Sequence, residues 1–357
     1  MPVKFTGKHP EIEWVETDFY SLDIAIRKNY TRIGWPTRTL TQVSGPTSTG
    51  KSTFINSVAC VIGRKLDLNI ACLDLETQDP ATIKAVCNNM RFENEWKWTE
   101  PDKRKKEDSI SDEYLLGLLR KDARDGYITI LDSVASISPV AEVAGNIGDA
   151  NMGRRAFPMA QFSRLMNMEL KWSEKGAVSF LANHRYEDFE VAKKGALQFA
   201  KKTHAPGGVV KENMAFIDII SKIPYIKYGN TGYTAHFGDG WVFEGKVTKN
   251  RFGLSHSDFW VYIVGGQGIH KGLTAMFDCV KLGLAEIKTG NKLYMKSTGE
   301  ELGRVSDIIK KRDDYDFDMF YNLTKAHQLS AEDDAQLKLE ESDEVEYVQT
   351  DVEEDDE

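Results

Sequence analysis

Short apolar runs alternate along the chain with longer segments whose apolar positions recur every three to four residues. The short runs predict β-strands, and the clearest are residues 41–44, 69–74, 127–131, 178–182, 217–223, 240–249 and 259–264. The longer segments predict helices at residues 52–66, 80–89, 112–124, 154–174 and 274–282. This alternation is typical of an α/β protein with a mostly parallel central sheet.

Three segments differ from this α/β body. Residues 91–111, where two tryptophans stand among charged residues, predict a loop or surface insertion. Residues 269–325 predict a small C-terminal α/β module. Residues 331–357 contain fourteen Asp or Glu and one Lys, so we expect a disordered acidic tail over residues 326–357.

The tail accounts for the net charge of −9. Without it, 45 of the 46 basic and 41 of the 55 acidic residues remain, so the body carries a net charge of +4. A mildly basic body is compatible with nucleic-acid binding, and a second hypothesis for the tail is that it competes with nucleic acid for a basic groove. The four cysteines form no Cys-x-x-Cys pair, and the sequence has no apolar run of membrane-spanning length. We therefore expect a reduced, cytoplasmic protein without structural zinc.

Residues 45–52 read Gly-Pro-Thr-Ser-Thr-Gly-Lys-Ser, between a predicted strand and a predicted helix. This is the spacing of a phosphate-binding loop (P-loop), in which backbone N–H groups and a helix N-terminus face the phosphates. Lys51 would reach the β- and γ-phosphates, and the Ser52 hydroxyl would ligate Mg²⁺. The predicted nucleotide-binding residues are Gly45, Pro46, Thr47, Ser48, Thr49, Gly50, Lys51, Ser52 and Thr53.

Two carboxylates follow apolar strands and complete the predicted chemistry. Asp132 ends the run Ile-Thr-Ile-Leu-Asp, as a Walker B segment requires, and would bind Mg²⁺ directly or through water. A structural role for this acid is the alternative. Glu76 lies in the loop after the strand at 69–74 and would activate the water that attacks the γ-phosphate. Alternatively, Glu76 only caps the helix that Pro80 begins.

Together these elements resemble the RecA/UvsX family of ATP-dependent DNA recombinases, over roughly residues 14–300. Residues 15–25 resemble the opening of the RecA core, and Asp-Ser-Val-Ala-Ser at 132–136 resembles its Walker B segment. Residues 147–155, Ile-Gly-Asp-Ala-Asn-Met-Gly-Arg-Arg, are similar to the first DNA-binding loop. Asn-His-Arg-Tyr-Glu at 183–187 is similar to the UvsX sequence at the site where RecA has Asn-Gln.

The resemblance implies a RecA-like P-loop ATPase core at 14–268, a short N-terminal arm at 1–13, and ATP with Mg²⁺ as ligands. Asp79 and Pro80 match positions that flank the adenine. His184 replaces the glutamine that senses the γ-phosphate. Lys249 and Arg251 match two cations that reach the neighbouring subunit's ATP. The catalytic set implied by the motifs and the resemblance is Glu76, Lys51, His184, Lys249 and Arg251.

Two DNA-binding loops follow from the same resemblance, at about residues 141–157 and 185–209. Basic side chains neutralise phosphates and interleaved aromatic side chains stack on bases, so the second loop is a credible single-strand channel. A flexible solvated loop is the alternative. The predicted DNA-binding residues are Met152, Arg154, Arg155, Arg164, Arg185, Lys193, Lys194, Lys201, Lys202, Gly207 and Gly208.

The resemblance implies a phage or bacterial recombinase that forms filaments on single-stranded DNA and exchanges strands with a homologous duplex. Mediator and single-strand-binding proteins would be its partners, and it would act in the cytoplasm, away from membranes. Two alternatives remain: a ring-forming helicase motor of RecA type, and a non-catalytic recombination mediator that uses ATP as an assembly switch.

Overall fold

The structure is a computed structural model of the chain. It describes residues 10–27, 32–99, 112–137, 156–187, 202–204, 217–228, 231–253, 255–328 and 330. The helices are α1 (Tyr20–Ile26), α2 (Lys51–Leu66), α3 (Pro80–Asn89), α4 (Asp112–Arg124), α5 (Ala156–Trp172), α6 (Lys271–Lys281), α7 (Val305–Lys310) and α8 (318–328), with a 3₁₀ turn at Val134–Ser136.

Strands in the first half of the chain are β1 (Trp14–Val15), β2 (Trp35–Pro36), β3 (Leu40–Gly45), β4 (Ile70–Asp74), β5 (Trp96–Thr99), β6 (Ile128–Asp132), β7 (Ser179–Glu187) and β8 (Lys202–His204). The later strands are β9 (Ile217–Lys222), β10 (Tyr225–Tyr228), β11 (Thr231–Thr234), β12 (His236–Phe237), β13 (Gly240–Asn250), β14 (Ser257–Val264), β15 (Gly268–Ile269), β16 (Ala285–Lys288), β17 (Lys292–Met295) and β18 (Glu301–Arg304).

The central sheet has the strand order β15-β14-β13-β9-β3-β7-β6-β4-β5. From β9 to β5 all neighbouring strands are parallel, whereas β13, β14 and β15 are antiparallel. The prediction of an α/β fold with a mostly parallel central sheet is confirmed. Because parallel strands share one direction, β3, β4 and β6 all end at the same edge of the sheet.

Helices cover both faces of the sheet. On one face α2 buries Phe54, whose ring stacks on Phe243 with 4.6 Å between centroids. On the other face α4 and α5 pack against the sheet through the buried Leu119 and Phe162. Burying side chains of this size stabilises the fold by about 1.5–3 kcal/mol each. Strands covered on both sides read as continuous apolar runs, which is why the sequence pattern located them.

The segment predicted as a loop at 91–111 contains a strand, so that expectation was wrong in part. Strand β5 pairs in parallel with β4, with Trp96 opposite Ile70. It is an edge strand, and its Lys97 forms an ion pair with the buried Asp122 at 2.6 Å. Charged residues are common on edge strands because they discourage pairing with other chains. Those charges made the segment resemble a loop.

The C-terminal segment packs on the antiparallel part of the sheet. Residues of α6, α7 and β17 share one buried cluster with Val242 and Tyr262 of β13 and β14. The Tyr262 ring stacks on Phe277 of α6 with 5.4 Å between centroids. The module therefore shares its core with the central sheet. Helix α8 extends three residues past 325, and residues 331–357 of the predicted tail lie outside the described residues.

Candidate functional site

The phosphate-binding loop lies at the carboxyl edge of the sheet, between the last residue of β3 and the first of α2. Its backbone requires glycine at two positions. A Cβ at Gly45 would lie 2.2 Å from Ser221 Oγ, and Gly50 has a φ of +92°. Glycine is the residue that accepts both close backbone approach and positive φ without strain. The loop therefore has the local geometry that its sequence predicts.

Side chains from two neighbouring strands hold the loop in place. Thr49 Oγ1 lies 2.8 Å from Ser221 Oγ and 3.1 Å from the Pro46 carbonyl. From β13, Trp241 Nε1 donates a hydrogen bond of 3.2 Å to the Thr49 carbonyl. Neither Ser221 nor Trp241 belongs to the sequence motif. Sequence reasoning missed both because strand pairing brings them to the loop.

Lys51 points back across the loop, and its Nζ donates to the Pro46 carbonyl at 2.7 Å. The side chain is buried, which lowers its pKa, although the carboxylates of Asp132 and Glu76 act in the opposite direction. A buried ammonium group beside two carboxylates is suited to bind an anionic ligand, because little water screens the charge.

The two strand-terminal acids, Asp74 and Asp132, lie opposite each other in the register of β4 and β6. Asp74 accepts hydrogen bonds from the backbone N–H groups of Glu76 (2.9 Å) and Gln78 (2.6 Å). This turn directs Gln78 to Asp132, where Nε2 donates at 2.8 Å. Gln78 Oε1 accepts a 2.8 Å hydrogen bond from Asn56 of α2. Gln78 thus joins the loop to the P-loop helix, a role that no sequence signal indicated.

Asp132 is buried, and burial raises its pKa to about 6, helped by the charges of Glu76 and Asp74. A hydrogen bond from the Ser52 side chain and the charge of Lys51 oppose this shift. Crowded carboxylates of this kind favour a bound cation. The two predicted Mg²⁺ ligands, Ser52 and Asp132, are in contact, and both offer the oxygen donors that Mg²⁺ prefers. The residues present therefore fit this ion.

Glu76 lies between two other elements of the site. Its Oε1 accepts a hydrogen bond from Ser133 Oγ and lies 2.9 Å from His184 Nε2 at the end of β7. Partial burial acts to raise the Glu76 pKa, but the hydrogen bonds of Ser133 and His184 outweigh it, and the pKa is lowered. Glu76 is therefore ionised at neutral pH, as a general base must be. Sequence reasoning did not predict the role of Ser133.

Asp79, not Glu76, caps helix α3. The Asp79 carboxylate accepts hydrogen bonds from the N–H groups of Ala81 (3.1 Å) and Thr82 (3.2 Å), and Pro80 occupies the first helical position. These hydrogen bonds lower the Asp79 pKa. The capping alternative for Glu76 is therefore wrong. The predicted contacts of Asp79 and Pro80 with adenine stay predictions.

Lys249 and Arg251 do not join the P-loop of their own chain. In the sheet register Lys249 of β13 pairs with Asp218 of β9, which pairs with Gln42 of β3. Gln42 precedes Gly45 by three residues in β3, so Lys249 is about 10 Å from Gly45 along the strand direction. It is also about 10 Å away across the sheet, because β13 and β3 are two strand spacings apart. Because β13 is antiparallel, its last residues lie at the sheet edge opposite the nucleotide site.

Most of the predicted DNA-binding residues lie outside the described residues: Met152, Arg154, Arg155, Lys193, Lys194, Lys201, Gly207 and Gly208. Arg164 lies on the exposed side of α5. The backbones of Arg185 and Lys202 belong to the antiparallel pair β7–β8, in which Arg185 pairs with His204. That pair begins one residue after His184. The second predicted DNA loop therefore starts directly beside the nucleotide site.

Known proteins are similar to this sequence over most of its length. The family model of the RecA N-terminal domain matches residues 3–218. Protein RecA of Clostridioides difficile (strain 630) is 27% identical over 340 residues, which cover 89% of this chain and 86% of that protein. Protein RecA of Oceanobacillus iheyensis is 26% identical over 266 residues, covering 73% and 68%. The crystal structure of the RadB recombinase gives a TM-score of 0.47 at 15% identity, covering 71% of this chain and 98% of that one.

Proposed function

We propose a recombinase function for this chain, which belongs to the RecA family. Proteins of this family act in recombination and repair as DNA-dependent ATPases that use ATP with Mg²⁺. They bind DNA and form oligomeric filaments. For this chain the proposal is specific: it polymerises on single-stranded DNA with ATP and exchanges strands with a homologous duplex. None of the helices in the described part of the chain combines the length and the hydropathy that a membrane-spanning helix needs.

The observation that carries the proposal is the position of Glu76. Its carboxylate contacts both Ser133 and His184, and the charges of Lys51 and Asp132 act on the same group of side chains. Glu76 takes a proton from the attacking water as that water adds in line to the γ-phosphorus. Lys51 neutralises charge that develops on the phosphate oxygens. Ser52 and Asp132 would hold Mg²⁺, which would supply further neutralisation of those oxygens.

His184 connects this chemistry to DNA. Its imidazole contacts Glu76 at 2.9 Å, and the strand that carries it continues into the second predicted DNA loop. A γ-phosphate beside Glu76 offers the imidazole a competing hydrogen-bond acceptor, so binding of ATP shifts His184 and the start of the loop. DNA bound to the loop would favour the same arrangement of His184 that ATP favours, because coupling between the binding of two ligands is reciprocal. Mutual strengthening of ATP binding and DNA binding follows from this coupling.

Assembly completes the site in this proposal. Lys249 and Arg251 lie at the far edge of the sheet from the P-loop of their own chain, so they serve the ATP of a neighbouring subunit. Cations supplied in this way raise phosphoryl-transfer rates by roughly 10³–10⁵-fold in other NTPases. Hydrolysis therefore requires contact between subunits.

The test measures ATP hydrolysis with and without single-stranded DNA and images the same samples by negative-stain electron microscopy. Stimulated hydrolysis with helical filaments supports the recombinase and justifies a strand-exchange assay. Closed rings would instead indicate the helicase motor. ATP binding without turnover or filaments would indicate the mediator. Either of the last two results contradicts the proposal.

A further inference from the structure

Two cysteines outside the nucleotide site lie side by side between the P-loop helix and its neighbour. Cys60 of α2 and Cys87 of α3 have their Sγ atoms 3.8 Å apart. None of the four cysteines of the chain forms a disulfide. Cys279, by contrast, contacts the backbone carbonyl of Phe320. Cys60 and Cys87 are 27 residues apart in sequence, so helix packing creates the pair.

The two thiols have unequal surroundings. Cys60 is fully buried, and burial raises its pKa. Cys87 is only half-buried, and a hydrogen bond from the Cys60 thiol lowers its pKa. Because the thiolate is the form that attacks oxidants, and because access to solvent is needed, Cys87 is the more reactive thiol. Cys60 is positioned behind it.

The surrounding contacts keep the two sulfur atoms close. One turn before Cys60, Asn56 binds the Gln78 side chain that precedes α3. At the other end of α3, Asn89 Nδ2 donates to the carbonyls of Gln267 and Ile269, each at 3.0 Å. A disulfide needs an S–S distance near 2.05 Å, so the sulfur atoms must approach each other by about 1.8 Å. Rotation of the two side chains and a small shift of α3 would have to supply this approach.

We propose that Cys60 and Cys87 are a peroxide-reactive dithiol that closes to an intramolecular disulfide and links α2 to α3. The Cys87 thiolate attacks one oxygen of hydrogen peroxide, the O–O bond breaks, and hydroxide leaves as Cys87 becomes a sulfenic acid. The Cys60 sulfur then attacks the Cys87 sulfur, and the sulfenic oxygen leaves as water with the Cys60 proton. Two thiols lose two electrons, and one peroxide becomes two waters.

The test treats the folded, full-length protein with hydrogen peroxide, then unfolds it, alkylates it and maps its peptides by mass spectrometry without reductant. We expect one cross-linked peptide pair, Cys60 with Cys87, while Cys72 and Cys279 are fully alkylated. Dithiothreitol should restore four alkylated cysteines. The oxidised protein should unfold a few degrees higher, because the bond closes a loop in the unfolded chain.

Two variants separate the roles of the thiols. With Cys60→Ser, the sulfenic acid at Cys87 has no partner, so dimedone should label Cys87. With Cys87→Ser, dimedone should label neither the Cys60 peptide nor any other. Peroxide treatment of the wild-type protein that leaves Cys60 and Cys87 reduced would overturn the proposal. Oxidation of Cys87 to a sulfinic acid while Cys60 stays reduced would do the same, whether or not the variants fold.

Discussion

The distance between Lys249 and the P-loop makes a sharp prediction about subunit mixing. Lys249 lies about 10 Å along the strands and about 10 Å across them from Gly45, which is farther than a lysine side chain reaches. If Lys249 acts on ATP, it acts on the ATP of a neighbour. We expect Lys249→Ala alone to lower DNA-stimulated ATP turnover by at least ~10²-fold while ATP binding is retained, because the lost charge acts only during hydrolysis.

The mixing experiment combines Lys249→Ala subunits with Lys51→Ala subunits, each of which is inactive alone. A site is intact when Lys51 comes from the first variant and Lys249 from the second. In a random 1:1 filament this holds for about a quarter of the head-to-tail interfaces. We therefore expect the mixture to recover up to about a quarter of wild-type turnover, measured as phosphate release with saturating single-stranded DNA.

The control is Lys246→Ala, which removes an exposed lysine three residues before Lys249 in the same strand. This variant should keep wild-type turnover, and mixing it with Lys51→Ala should only dilute that activity. No recovery in the Lys249→Ala mixture, in samples that electron microscopy shows to be mixed filaments, would refute the assignment to the neighbouring subunit. Full turnover by Lys249→Ala alone would refute any catalytic role.

Three further predictions concern single side chains. Glu76→Gln should lose roughly 10²–10⁴-fold in ATP turnover, because the amide cannot accept the proton of water. Its ATP affinity, measured by titration with a fluorescent analogue, should be unchanged. Wild-type turnover would exclude Glu76 as the base. Trp241→Phe removes the hydrogen bond to Thr49, so ATP affinity should fall about 5-fold, equivalent to about 1 kcal/mol; unchanged affinity would contradict the bracing role. Asp278 is fully buried, and burial raises its pKa to about 7. Between about pH 4 and about pH 7 the folded wild-type protein therefore binds more protons than the unfolded protein, so its free energy of unfolding falls as the pH rises. Asp278→Asn should reduce the loss of stability between pH 5 and pH 8 by about 3 kcal/mol, measured by urea unfolding at those two pH values, and equal pH dependence in both proteins would show that Asp278 does not cause it.

The shared core bears on how the C-terminal module behaves. Tyr262 and Val242 belong to the central sheet, yet their packing partners are residues of the module such as Phe277. Removing the module would expose these side chains to water. The module is therefore part of one cooperative unit with the central sheet, although its sequence predicts a separate module.

Local sequence determined the parts of the site that depend on neighbouring residues. The P-loop needs glycine at positions 45 and 50 and, directly after the second glycine, a lysine and a serine, all within eight residues. The strand that ends in Asp132 was recognisable because a strand buried on both faces must be apolar throughout. Both signals are contiguous, so the pattern of residue types was sufficient to predict them.

Tertiary structure decided which distant residues meet. His184 is 108 residues from Glu76 and Gln78 is 54 from Asp132, yet both pairs are in hydrogen-bond contact. The order of the strands in the sheet brings these residues into contact, and it also places Lys249 away from the P-loop of its own chain. Hydrophobic periodicity reports which face of an element is buried but not which element covers it. For that reason the sequence predicted the strands and the phosphate loop, while only the packed sheet determined the partners of Glu76 and Asp132, and only helix packing determined the partner of Cys60.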